Sequence, residues 1–155
     1  MGLLIRQARP EDGETLRGMS HVGSFDLASE LHVGGAWAMV ALRSEELIGY
    51  VLFRGVLGEW DVINLFVAPD YRRRGVGRDL MSGALKVIRA QGPATVHLEV
   101  GEGNEAAIAL YHGLGFSDSG RRAGYYRNGD EDALLIKLVV AGHCPENGVA
   151  FPAVY

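Results

Sequence analysis

The sequence predicts a mixed α/β domain with elements in the order βα(α)βββαβαββ. One observation behind this is period-two alternation: in Ala94 to Val100, Val96, Leu98 and Val100 face one way and His97 and Glu99 the other. A second is helical spacing over 75–90, where Leu80, Ala84 and Ile88 fall four apart with Met81 and Leu85 beside them. A third is that several strands follow one another directly, so the sheet is mixed rather than purely parallel.

Taken in order, Leu3 to Ala8 reads as a short strand. Pro10-Glu11-Asp12 opens a helix to about Met19, with proline in the first turn and acids at the positive helix end. His21 to Gly35 is ambiguous and allows one short helix over Asp26 to Leu31. Ala36 to Leu42 and Leu47 to Val56 form a hairpin around the polar turn Ser44-Glu45-Glu46. Glu59 to Val67 is the next strand, ended by Pro69. The helix over 75–90 stops at Gly92-Pro93, and the strand Ala94 to Val100 follows. Asn104 caps a helix to about Leu114 that Gly115 closes. Phe116 to Arg127 and Ala133 to Val140 are the last strands. The expected division is a single domain over 1–140 and an irregular tail over 141–155.

Composition narrows the classes. The chain has 155 residues, 15 Lys+Arg against 19 Asp+Glu, and a net charge of −4. One domain is expected at this length. A single Cys144 leaves no internal disulfide framework and no cysteine-based zinc site. His21, His32, His97, His112 and His143 show no metal-ligand spacing, so no metal is expected. No apolar run is long enough to span a membrane and no secretory leader pattern opens the chain, so a cytoplasmic setting is expected. The acidic balance argues against general nucleic-acid binding. Glycine is the outlier at 22 residues, roughly double the usual share, and must serve turns, helix ends and close backbone approaches.

The densest chemical signal runs from Val67 to Arg78. A strand ends, a loop carrying Arg72, Arg73 and Arg74 follows, and a helix begins at Gly75-Val76-Gly77-Arg78. Unpaired amides at a helix start and the macrodipole favour an anion there, and glycines let it approach the backbone. A solvated basic turn is the plainer alternative. A second glycine motif, Gly101-x-Gly103-x-x-Ala106, fits the local pattern of a dinucleotide fingerprint. The remaining chain reads as two adjacent strands, not as repeated βαβ units, which argues against that function.

The pattern Arg72-x-x-Gly75-x-Gly77 resembles the acetyl-CoA pyrophosphate loop of the GNAT acetyltransferases. The resemblance extends through Leu98-Glu99-Val100, Asn104 to Tyr111 and Leu114-Gly115-Phe116, spanning about Asn64 to Leu138. It is strongest toward the RimI-like branch, which acetylates the N-terminal alanine of a ribosomal protein. Arg121-Arg122, Tyr125-Tyr126 and Glu131-Asp132-Ala133 also look like that group's end. The resemblance implies a GNAT fold, with acetyl-CoA bound where two central strands splay apart. It implies Arg72 to Arg78 at the pyrophosphate, the backbone of Leu65-Phe66-Val67 at the acetyl carbonyl, and Asn104 at the CoA arm. By position it implies Glu99 as the base that takes the amine proton and Tyr111 as the acid that protonates the departing thiolate.

Read without the resemblance, Glu99 is a solvated strand residue, and Tyr111, Trp37 and Trp60 are core aromatics. His97 shares the Glu99 face; Cys144 has no evident base partner, which disfavours an acetyl-cysteine route. The branch's upstream Trp-Ser element is missing from His21 to Gly35, and Arg72 stands where glutamine is common, so the acceptor stays open. It is expected to be a protein or peptide N-terminal amine, with a small-molecule amine or a non-catalytic CoA-binding module as alternatives. Monomer and homodimer are equally compatible with the sequence.

Overall fold

The computed structural model describes residues 2–19, 32, 34–126 and 129–142, with the side chain of Tyr126 excepted. The short helix expected over Asp26 to Leu31 and most of the expected tail lie outside these residues.

Seven strands form one sheet in the order β1-β2-β3-β4-β5-β7-β6. They are β1 (Leu3–Gln7), β2 (Ala36–Arg43), β3 (Glu46–Val56), β4 (Glu59–Val67), β5 (Ala94–Gly101), β6 (Ser117–Tyr126) and β7 (Glu131–Val140). The helices are α1 (Gly13–Met19), α2 (Val76–Arg89) and α3 (Glu105–Gly113), with short 3-10 turns at Pro10–Asp12 and Pro69–Tyr71. Boundaries follow the sequence reading within a few residues except at the first helix. There the Asp12 carboxylate accepts the Arg9 amide at 2.7 Å and the Arg6 guanidinium at 2.7 and 2.9 Å. That local pairing tightens Pro10–Asp12 into a 3-10 turn before α1 starts.

The β2–β3 turn departs from the usual glycine chemistry, which the β3–β4 turn keeps with Gly58 at φ 84°. Ser44 and Glu45 both adopt positive φ, at 51° and 68°, because a two-residue β2–β3 turn must match the strand twist. Each face of the sheet buries its own cluster. On one, α2 crosses β1 to β4 and places Leu80, Met81, Ala84 and Ile88 against Met39, Val51 and Phe53. On the other, Leu16 of α1 joins Ala38, Val40, Tyr50 and Leu52. Trp37 and Trp60 meet edge-on at 6.0 Å in the core, as expected for strand tryptophans.

The site originates in one irregularity of β4. Leu52 pairs with Asn64 and Phe53 with Val62, leaving Ile63 as an extra residue. Such a bulge bends and twists its strand. All other neighbouring pairs are antiparallel; β4 and β5 run parallel, and only Glu59–Asp61 pairs with Thr95–His97. Beyond the bulge the two strands part, and the β5-facing backbone of residues 62–67 has no β5 partner.

Candidate active site

Where β4 and β5 part, a cavity of about 630 Å³ opens between Val62–Leu65 on one wall and Leu98–Gly101 on the other. Glu99, Asn104, Tyr111 and Glu131 also line it. Toward the basic loop it meets a second space of about 740 Å³ at Leu65 and Ala107. On its other side it shares Val62, Ile63, Leu98 and Glu99 with a third, of about 550 Å³, lined further by Asp61, His97, Ser119 and Tyr125. These shared walls make one track from the Arg72–Arg78 loop, through the strand opening, to a separate mouth.

The loop end has the properties of an anion cradle. Gly75 sits at the start of α2 with φ 82°, and a Cβ there would meet nothing within 4 Å, so its space is open. Arg73 also adopts positive φ, at 63°, which curls the loop into the helix start. Arg72, Arg73, Gly75, Val76, Gly77 and Arg78 all line this end, together with the apolar Val67, Leu65 and Leu110. A charged head followed by an apolar wall suits a phosphate-bearing molecule with a long arm.

Two arginines behave differently from the sequence expectation. Arg72 turns back on β4: its Nε donates to the Val67 carbonyl at 2.8 Å, and its guanidinium lies 5.8 Å from the Phe66 ring centroid. It braces the strand end as well as bordering the cradle. Arg74 is exposed and does not border the cradle. Strand alternation also sends the Phe66 ring to the opposite face, where it stacks on Tyr50 at 5.7 Å, and Phe66, unlike its neighbours Leu65 and Val67, lines none of the three spaces.

The remaining expected residues meet in the central cavity. Asn104 caps α3: its Oδ1 accepts the Ala107 amide at 3.2 Å, which leaves its Nδ2 for other partners. Tyr111 is buried, packs edge-on to Phe116 at 5.6 Å and presents to the cavity from α3. Glu99 alternates out of the core of β5 and lines both the central cavity and the mouth. Its Oε1 is 3.1 Å from Arg122 Nη2 of β6. His97 shares the mouth and bonds Glu59 Oε2 at 2.8 Å.

Sequence reasoning missed Asn64 and passed over Glu131 as a site residue. Asn64 lines the cavity and donates from Nδ2 to the Tyr50 hydroxyl at 3.0 Å. A lone amide within Val62-Ile63-Asn64-Leu65 was a readable signal, because an amide in an apolar strand needs a partner. Among the described residues, no group of three or more His, Cys, Asp or Glu could hold a metal ion, and no helix is long and apolar enough to cross a membrane.

A parted pair of parallel strands with a glycine-led helix start at one end defines a CoA-type acyltransferase site. The Acetyltransferase (GNAT) family pattern matches residues 6–116, and the chain belongs to this family: it is an acetyl-CoA-dependent N-acetyltransferase with the GNAT fold. The [Ribosomal protein bS18]-alanine N-acetyltransferase of Escherichia coli (strain K12) is 38% identical over 101 residues, covering 64% of this chain and 68% of that one. The N-alpha-acetyltransferase RimI of Mycobacterium tuberculosis is 38% identical over 95 residues, covering 59% and 58%. The crystal structure of the Escherichia coli ribosomal-protein-S18-alanine N-acetyltransferase superposes with a TM-score of 0.78 at 28% identity, over 97% of this chain and 100% of that one. Arabidopsis thaliana NAA60 in complex with a bisubstrate analogue shares the fold, with a TM-score of 0.77 at 24% identity over 92% and 100%. The expectation of a RimI-like GNAT enzyme, rather than a non-catalytic module, is thereby borne out.

Proposed function

We propose that the enzyme acetylates the α-amine of a protein or peptide N-terminus, with an alanine-ended ribosomal protein as the first acceptor to test. The observation that carries this is the place of Glu99. Among the described residues it is the one ionisable side chain common to the central cavity and the mouth, while Tyr111 borders the central cavity alone. A base between the two entrances and an acid on the cofactor side suit direct transfer in a ternary complex. The relatives' names, which specify N-terminal alanine acetylation of a ribosomal protein, support the choice of acceptor.

In this reading the loop from Arg72 to Arg78 holds the pyrophosphate. Asn104 and the backbone of Leu65, Phe66 and Val67 hold the arm and the thioester carbonyl. Acetyl-CoA supplies the activated acyl group. Glu99 takes the proton from the acceptor ammonium, directly or through one water, and the freed amine attacks. As the C–S bond breaks, Tyr111 donates its hydroxyl proton to the sulfur, and its phenolate is reprotonated by the second amine proton, which the new amide nitrogen gives up. An α-amine with a reference pKa near 8 presents a smaller uphill transfer to a carboxylate than a lysine near 10.4.

A second reading, a small cationic amine, draws on the carboxylates gathered at the mouth, where Asp61 accompanies Glu99. Release of free thiol from acetyl-CoA, measured against N-terminal peptides, lysine peptides and small amines, separates the two. Turnover confined to α-amines of peptides supports the proposal. Turnover only with polyamines, amino acids or aminoglycosides replaces it with the second reading. A ribosomal acceptor places the enzyme in the cytoplasm.

A further inference from the structure

Glu131, the first residue of β7, takes no part in the proposed proton transfers yet lies on the wall of the central cavity. Its Oε1 accepts the Gly103 amide at 2.8 Å. The same oxygen is 2.8 Å from where a Cβ on residue 103 would stand and 2.9 Å from where one on residue 101 would. Side-chain carbons do not come so close to an oxygen. The carboxylate therefore fills a notch that exists because both residues are glycine. Neither residue has left-handed φ, so what glycine allows at these two positions is the close approach of the carboxylate end of a flexible side chain, not a turn conformation.

The neighbouring residue fastens the same turn from its other side. The Asp132 carbonyl accepts the Glu102 amide at 3.0 Å, and Asp132 Oδ1 accepts the Gly124 amide of β6 at 2.9 Å. Arg121 Nη1 of β6 closes on Glu102 Oε2 at 3.2 Å. From this turn α3 begins: the Asn104 amide donates to the Gly101 carbonyl at 2.9 Å, and Asn104 caps the helix that carries Tyr111. Two glycines separated by a single residue are loose on their own, so the strand that grips them sets where the helix starts.

We infer that Glu131 is a positioning residue for acetyl-CoA: seated in the Gly101/Gly103 notch, its carboxylate fixes where Asn104 and the start of α3 meet the cofactor arm. This rests on the reading that the arm passes Asn104, and is independent of the acceptor and of the roles of Glu99 and Tyr111. It also accounts for the Glu131-Asp132 pair, which the sequence singles out and the transfer chemistry does not use.

The test is the acetyl-CoA dissociation constant of the full chain by calorimetry, with no acceptor present. Glu131→Ala is expected to weaken binding about tenfold, the scale of one lost charge-assisted hydrogen bond. Glu131→Gln keeps an oxygen for the Gly103 amide and restores most of that loss. Gly103→Ala displaces the carboxylate and matches Glu131→Ala, and the double variant binds no worse than Glu131→Ala alone. Wild-type affinity in Glu131→Ala, no rescue by glutamine, or fully additive losses in the double variant each overturn the inference. Should Glu131→Ala not fold, unchanged affinity in Gly103→Ala overturns it equally. Absence of acetyl-CoA binding by the wild type sinks the cofactor reading and this inference with it; normal binding by Glu131→Ala sinks this inference alone.

Discussion

Arg122 of the edge strand β6 reaches across β7 to put its Nη2 3.1 Å from Oε1 of Glu99 on β5. The guanidinium also lies 5.1 Å from the ring centroid of Tyr125, which lines the mouth. A positively charged group thus already occupies one oxygen of the carboxylate that, in the proposed mechanism, receives the acceptor ammonium. Both partners are partly exposed, so the pair contributes no more than about 1 kcal/mol to stability. Its effect belongs in kinetics. Arg122→Gln is expected to lower KM for a peptide amine, because a competing cation is gone, and to lower kcat, because Glu99 is no longer held. Steady-state rates against acceptor concentration check this; unchanged KM and kcat would show that the pair plays no part.

Glu99→Gln keeps the shape of the strand and removes the proposed proton acceptor. Turnover is expected to fall on the order of 10²–10⁴-fold near neutral pH, the usual worth of a positioned base. The deficit should shrink above about pH 8, where a free α-amine no longer needs one. Tyr111→Phe keeps the packing against Phe116 but removes the proposed proton donor. It should slow thiol release while leaving acetyl-CoA affinity close to wild type. Wild-type kcat for both variants across the pH range would remove these two residues from the chemistry.

The two cradle glycines separate backbone need from space. Gly75 has φ 82° with open space where a Cβ would stand, whereas a Cβ on Gly77 would make ordinary contacts of 3.5 to 3.9 Å with Leu110, Leu65 and Val67. Gly75→Ala is therefore expected to cost about 1–2 kcal/mol of stability through left-handed strain and to weaken acetyl-CoA binding. Gly77→Ala should be neutral or stabilising by up to about 1 kcal/mol, because alanine is the better helix former. Thermal melts with and without acetyl-CoA separate the two. Equal effects at both positions would contradict this division.

What the sequence made legible was local. The α2 stripe, the β5 alternation and the Asn104 cap each rest on residues a few positions apart, and all are found as expected. The central opening was reachable only through the family resemblance. It depends on the extra residue Ile63 in β4, and a bulge has no marker in a run such as Val62-Ile63-Asn64-Leu65. Long-range pairings were hidden for the same reason. Arg122 and Glu131 find Glu99 and Gly103 only after β7 inserts between β5 and β6, an order that linear spacing does not reveal. Arg72 read as one more charge of an anion loop because nothing in the sequence shows that its Nε is engaged by Val67.

Asp12 makes the fold sensitive to acid. The Arg6 hydrogen bonds, with help from the Arg9 amide, hold its carboxyl below the usual carboxylate range despite burial. With the folded value depressed, the contribution is present above the unfolded value and is lost as pH falls through the folded one. Denaturant midpoints should therefore drop below about pH 4. Asp12→Asn should flatten that limb while costing roughly 1.5–3 kcal/mol at neutral pH, the range for hydrogen bonds to a charged group. An acid limb as steep in the variant as in the wild type would place the sensitivity elsewhere.

Tyr50 gives the opposite limb. Burial against Leu52 and Phe66 pushes its phenol up to about 12, and the Asn64 amide donates to its oxygen. A folded value above the unfolded one means that the native state keeps a proton the unfolded chain has released. Stability is then full below about pH 10 and falls from there through about pH 12. Tyr50→Phe should remove this alkaline loss and lower neutral-pH stability by about 1 kcal/mol, since the Asn64 amide loses its acceptor. Because Asn64 lines the cavity, the same variant should also change acetyl-CoA affinity. Denaturant melts between about pH 8 and 11 read the first effect and calorimetry the second; an undiminished alkaline loss in the variant would assign that limb to other tyrosines.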